Sequence, residues 1–234
     1  MHPMNTPGPA RTPPPHTRGL AQGGFTLAEL AIVLVILSLL AGGLMVPLGA
    51  RIDARDRQLS IERLRDIQHA LIGFAIIHGR LPCPSTEDDP GAPGYGIEDS
   101  PPCNTAREGR LPWLSLGLPP TDAWGLPRRS RSDDWGGHWH YRVDRAFANT
   151  AIGAATTPTD DLQIRGHDGS RITVTDSQAV AIVYSTGPNR RADGLNASYS
   201  TTYQAGETTP DHDDLLVWIG RPLLIARLAQ AGRL

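Results

Sequence analysis

Four aspartates near the C-terminus are the densest set of potential ligands in this chain. Asp193 lies in "RADG" (191–194), and Asp211, Asp213 and Asp214 lie in "DHDD" (211–214). Their carboxylates are hard oxygen donors carried on loops, the donor type that suits a hard divalent cation. The same residues also read as a solvated acidic loop that caps the strand after it. A second grouping has metal-ligand residue types: His138 and His140 flank Trp139, with Asp133 and Asp134 just before them. Two histidines two apart on an edge strand read more simply as exposed side chains. Cys83 in "RLPCPS" and Cys103 in "SPPCNT" are not spaced as C-x-x-C, which argues against a zinc ribbon or a redox motif. Outside the cytoplasm they would close a loop of about twenty residues as a disulfide, worth ~3 kcal/mol. The acidic residues between them, Glu87, Asp88, Asp89, Glu98 and Asp99, lack a ligand spacing and read as a solvated loop. One more carboxylate is out of place. Glu29 sits inside the apolar run "FTLAELAIVLVILSLLAGGLMVPL" (25–48), where a carboxylate in hydrocarbon costs roughly 2.5–3.5 kcal/mol.

Composition narrows the chemistry. The 234 residues carry a formal charge of −2, so no basic surface for nucleic acid is expected. Every basic residue other than histidine is arginine. Without lysine there is no P-loop, Schiff-base lysine or lysine general base. A nucleophile elbow, an HExxH helix and a dinucleotide fingerprint are also absent. The reading is therefore non-enzymatic.

The elements that must position these groups follow from periodicity and breakers. Residues 1–24 are Pro-rich and polar and cannot build a core. Residues 25–48 predict a helix about 36 Å long, enough to span a bilayer. The run is longer than the roughly 7–15 residues of a secretory signal. "LAGG" (40–43) leaves signal cleavage open, and a plain uncleaved anchor is open too. Pro47 is expected to bend the helix without ending it, because Leu59, Leu64, Ile67, Leu71 and Phe74 continue a helical spacing. Gly79 is the expected C-cap, with Pro82 and Pro84 beyond it. Residues 49–78 thus predict an amphipathic continuation, and 79–135 a Pro/Gly-rich loop region. Strands are expected over 138–144, 161–165, 171–175, 179–185 and 214–219, within an antiparallel β region spanning 136–220. Residues 221–234 predict a short amphipathic helix. The fold class is α+β, one long helix packed on a small antiparallel sheet.

"GGFTLAEL" (23–30), followed by the apolar helix, resembles the type IV prepilin signal of type IV pilins and type II secretion pseudopilins. The resemblance implies cleavage by a prepilin peptidase between Gly24 and Phe25, followed by N-methylation of Phe25. It also implies an assembly role for Glu29, whose carboxylate meets the Phe25 amine of a neighbouring subunit and sets the register. A buried pair of that kind acts as a specificity device more than as net stabilisation. "DAWG" (122–125) resembles the D-x-W-G segment that enters the sheet of major pseudopilins. "RADG" and "DHDD" are similar to the loop that binds calcium in those proteins, although the intervening loop differs in length. The leader departs from the pattern in being long and Pro-rich. The charge balance across the helix, Arg11 and Arg18 before it and Arg51, Arg55 and Arg57 after it, does not orient the chain.

The expected function is a structural pilin-like subunit of a type IV pilus or a type II secretion pseudopilus. The implied partners are prepilin peptidase, other pilin or pseudopilin subunits, an inner-membrane assembly platform and membrane lipid. The implied location is a single pass in the inner membrane with a periplasmic C-terminal domain, then a filament. No cofactor is required beyond the calcium that the loop resemblance raises. Two rival classes remain. One is a filament-displayed adhesin or DNA-uptake receptor, using Trp113, Trp124, Trp135 and Trp139 as an aromatic surface. The other is a membrane-anchored periplasmic enzyme.

Overall fold

The computed structural model describes residues 24–103 and 108–234, with the side chains of 41–48 and of Asp176 outside that description. The proposed leader, apart from Gly24, and the side chain of Pro47 therefore lie outside the described residues. The chain divides into two units, 1–48 and 49–234. Helix α1, Leu27–His78, contributes to both.

α1 begins with a reciprocal cap. The Thr26 hydroxyl accepts the Glu29 N–H (3.2 Å), and Glu29 Oε2 accepts both the Thr26 N–H and the Thr26 hydroxyl (2.9 Å each). This is a capping box, which satisfies donors that the first helical turn leaves free. The helix ends where expected, at Gly79, which adopts φ +73° and donates its N–H to Ala75. In the first unit the described apolar side chains, from Leu27 to Leu40, are exposed. Among the described residues no helix is long and apolar enough to cross a membrane. The described apolar stretch 27–40 rises only about 21 Å at 1.5 Å per residue, against a hydrocarbon core of about 30 Å. The expected transmembrane first half therefore stays an expectation.

In the second unit, Leu64, Ile67, Leu71 and Ala75 form a buried stripe at helical spacing on α1. The stripe shares one core with Trp139, Tyr141, Val143, Phe147, Ala181 and Val183. Strands β1 (Glu108–Arg110), β2 (His140–Val143), β4 (Ala179–Ser185) and β6 (Leu215–Gly220) form an antiparallel sheet in the order β1-β2-β4-β6. Two more strands, β3 (Gln163–Arg165) and β5 (Thr202–Gln204), make a separate parallel pair. β4 explains its own unbroken apolar sequence. Ala181 and Val183 face the helix core, while Ile182 and Tyr184 join Leu162, Ile164 and Tyr203 in a second core. A strand buried on both faces has no polar side to alternate with. Short helices α2 (Trp113–Leu116) and α3 (Arg145–Ala148) and the C-terminal α4 (Arg221–Gln230) complete the unit. Asp144 caps α3 from a fully buried position, its carboxylate accepting N–H bonds from Ala146, Thr159 and Asp160.

Several expectations are corrected. Residues 171–175 form no strand. Their β-branched side chains Ile172 and Val174 stay exposed, and the segment makes only one bridge, Arg171 to Arg165, before a 3-10 turn at Thr175–Ser177. β1 and β5 were not foreseen, because each is three residues long and is held by its partner strands instead of by its own pattern. β1 lies within the supposed loop region 79–135, paired with β2 and bridged to Ser85. The β region is not wholly antiparallel, since β3 and β5 run parallel.

Cys83 and Cys103 are joined by a disulfide with a Cα–Cα distance of 5.4 Å, and both are buried. Inside the loop they close, Glu98 is not a solvated acid. It takes two hydrogen bonds from Arg80 (2.8 and 3.0 Å) and one from the Cys83 N–H (3.1 Å). Reducing the bond is expected to lower the unfolding free energy by about 3 kcal/mol. The measurement is the unfolding free energy from urea curves with and without reductant, each fitted with its own slope, because the reduced chain exposes more surface on unfolding.

Candidate functional site

Phe25 opens the first candidate site. Its side chain is 87% exposed, just ahead of the capped first turn of α1. Glu29 is also exposed, and Oε2 is committed to Thr26. Oε1 has no hydrogen bond among the described residues, so the carboxylate can cap its own helix and still accept a second donor. Gly24 precedes Phe25, and among the described residues nothing lies within 4 Å of where its Cβ would stand. The three residues named from sequence thus lie together at one helix end.

The second candidate is the acidic set, and the structure assembles three of its four members. Carboxylate oxygens of Asp193, Asp213 and Asp214 lie within 4.8 Å of one another. Asp193 arrives from the turn after β4 and leads into a 3-10 turn at Gly194–Ala197. Asp213 and Asp214 arrive from the loop before β6. Asp211 is corrected: it stays exposed and outside the cluster. Thr209 and His212 exchange backbone hydrogen bonds that close a tight turn, and Asp211 sits within that turn, before the two aspartates that join the cluster.

The three acids are woven together by their own loops. Asp214 Oδ2 accepts the Asp193 N–H (3.0 Å) and the Asn196 amide (2.9 Å). Asp193 Oδ2 accepts the Asp213 N–H (3.0 Å), and the Asn189 amide donates to both Asp193 oxygens (3.3 and 3.2 Å). Asp213 Oδ1 and Asp214 Oδ1 are buried and have no hydrogen-bond partner among the described residues. Asp214 is only 2% exposed. Burial, aided by the charges of Asp193 and Asp213, pushes its carboxyl up to about 7 against the bonds from Asp193 and Asn196. Burial and Asp193 also raise Asp213. Two orphaned buried oxygens among three converging carboxylates are what a hard cation would satisfy, so the residues present fit such an ion.

The histidine grouping forms no metal-competent cluster among the described residues. His138 is fully buried, His140 is stacked on Tyr184, and β2 is an inner strand of the sheet. The expectation of exposed edge-strand histidines is therefore corrected. Burial pulls His138 down to about 4. Asp133 and Asp134 join no metal-competent group among the described residues. Of the tryptophans considered for an aromatic surface, Trp124 is half-buried against the helix–sheet core. Trp113 and Trp139 are core residues, and Trp135 lies under the Arg128 and Arg110 guanidinium groups (3.9 and 4.7 Å to the ring centre).

Buried Asn196, which donates to Asp214, was missed as a contributor to the acidic site. It is an ordinary polar residue whose importance is set by what it touches.

Residues 20–45 match the family described as the prokaryotic N-terminal methylation motif. The match covers 26 of 234 residues. It is the signature of the prepilin-type signal found in type IV pilins and pseudopilins, and this chain carries it. No curated protein and no solved structure matches the chain.

Proposed function

We propose that this chain is a structural, non-enzymatic subunit of a type IV pilus or a type II secretion pseudopilus. The observation that carries the reading is the methylation motif placed on an exposed, capped helix start with Phe25 and Glu29 in register. Prepilin peptidase cuts between Gly24 and Phe25, and the new Phe25 amine is methylated. The 25–48 segment then lies in the inner membrane, with the second unit in the periplasm. The sequence of that segment and its motif support membrane insertion, and the disulfide suits an oxidising compartment. Assembly brings the Phe25 amine of one subunit to Glu29 of another, so that each charge has a partner and the axial register is fixed. The partners are the peptidase, further pilin-like subunits, the inner-membrane platform and lipid.

The deciding experiment is the intact mass and N-terminal sequence of the protein from its native membrane. The expected chain begins at N-methylated Phe25. A chain that keeps residues 1–24 in cells with active prepilin peptidase would overturn the reading and favour an anchored enzyme.

We also propose that Asp193, Asp213 and Asp214 hold a calcium ion. Bound there, the ion would neutralise the three carboxylates and tie the loop after β4 to the loop before β6. The pH dependence follows from the raised Asp214 carboxyl. Its folded value lies above the unfolded one, so between about pH 4 and 7 the folded state holds the proton that the unfolded state has lost. Without metal, this contribution is complete below about pH 4 and is lost as pH rises through about 7. Calcium requires the ionised form and so should reverse the loss. At a hundredfold excess over Kd it adds about 2.7 kcal/mol, a Tm rise of about 5–10 °C for a domain of this size. The expected result is that rise at pH 7.5 over an EDTA control, and almost none at pH 4.5. Equal Tm values with calcium and EDTA at pH 7.5 would remove the proposal.

A further inference from the structure

We infer that Asp122 and Ser185 form a latch that positions Asp213, so that the "DAWG" segment sets how well the acidic loops hold a cation. This rests on the calcium reading above and adds residues that are not ligands.

The latch is read from one continuous set of contacts. Asp122 is 1% exposed, and its carboxylate is fully used. Oδ1 accepts the N–H groups of Trp124 (2.9 Å) and Gly125 (2.7 Å), which fixes the side chain in its own turn. Oδ2 accepts the Ser185 hydroxyl at 2.5 Å, across 63 residues of sequence. Ser185 ends β4 with no exposed surface, and its Oγ accepts the Gly187 N–H at 3.0 Å. Gly187 adopts φ +63° and lies flush against Asp213. A Cβ there would stand 2.4 Å from Asp213 Oδ1 and 2.6 Å from the Asp213 carbonyl. Only glycine fits such a contact, and the oxygen it touches is one of the site's two that lack a partner among the described residues.

Asp122 can serve as a fixed point because its turn is held from two sides. Arg63 of α1 donates to the Thr121 and Asp122 carbonyls (3.1 and 2.8 Å), and Ser60 accepts the Ala123 N–H (3.1 Å). On the other side Gly137, at φ +81°, approaches so closely that a Cβ would lie 2.3 Å from the Gly125 Cα. The chain of contacts therefore runs from α1 through Asp122 and Ser185 to Gly187 and ends at a carboxylate of the site. Groups that orient ligands without touching the metal commonly control affinity by about 10–100-fold when removed.

The test is calcium titration calorimetry on the full chain in detergent, with the metal alone as probe. It compares the wild type, Asp122→Asn, Ser185→Ala and the double variant. Near-UV circular dichroism and Tm in excess EDTA report on the fold. The expected result is at least a tenfold rise in Kd for each single variant. The double variant should be no weaker than the worse single, because both break one unit. Folded variants that bind with wild-type affinity, with only their EDTA Tm lowered, would overturn the latch and leave the calcium site standing. A wild type that does not bind calcium would remove the site and the latch together. Should Asp122→Asn fail to fold, Ser185→Ala, which removes one hydroxyl and no charge, decides alone.

Discussion

Glu29→Leu is expected to yield a chain that is cut before Phe25 and methylated, yet nearly absent from filaments. Glu29 is the one charged side chain between residues 25 and 48. Within the chain it does a modest job: Oε2 completes the capping box with Thr26, a feature worth about 1 kcal/mol. That alone would lower helix stability slightly and leave assembly intact. In the proposed assembly, leucine would also leave a neighbouring Phe25 amine buried without a counter-charge, at a cost of about 3–5 kcal/mol. Since each 1.4 kcal/mol is tenfold, incorporation should fall by about a hundredfold or more. Glu29→Gln keeps the cap's acceptor oxygen but loses the charge, so it should resemble leucine in assembly and the wild type in helix stability. The readout is the ratio of variant in sheared filaments to variant in membranes. Filament levels within a few-fold of the wild type would mean that Glu29 does not set register.

Trp139→Ala is expected to lower the stability of the second unit by about 3–5 kcal/mol, the range for a buried tryptophan. Domains have only about 5–15 kcal/mol in total, so a large unfolded fraction should appear near 37 °C. Trp139 is fully buried within the helix–sheet core, its indole N–H donates to the Pro119 carbonyl (3.1 Å), and its own carbonyl accepts the Leu111 N–H (3.0 Å). Removing it takes away apolar burial, leaves a cavity in the helix–sheet core and orphans the Pro119 carbonyl. Leu126, at 73% exposed, supplies the comparison. Leu126→Ala should stay within about 0.5 kcal/mol. Urea midpoints for the two variants check the contrast, and equal midpoints would mean that the core has been placed wrongly.

These two predictions come from opposite ends of what a sequence can reveal. The Glu29 prediction draws on local information. Glycine, phenylalanine and glutamate at fixed spacing before an apolar run were legible as a motif, and "TLAE" (26–29) also has the capping-box spacing that the structure realises. Local signals likewise determined the extent of α1, its stop at Gly79, β4 and the C-terminal helix. In each case the determinant lies within one or two turns of helix or one strand: a period of 3.6, a positive-φ glycine, a run of β-branched residues.

Tertiary structure decided the rest, because those features depend on residues far apart in the chain. β1 and β5 are strands only because β2 and β3 lie beside them. Residues 171–175 have a strand's composition, but their contacts with β3 stop at Arg171, Ile172 and Thr173 and build no ladder. The acidic site needed the chain to bring Asp193 to Asp213 and Asp214, and the same loop geometry left Asp211 outside. The contact between Asp122 and Ser185 crosses 63 residues, and no spacing rule points to it. The sequence by itself determined the helix and its processing signal, since short-range sterics and periodicity specify them. Which polar groups meet in the second unit was decided only by folding, where long-range pairing and burial choose each group's partner.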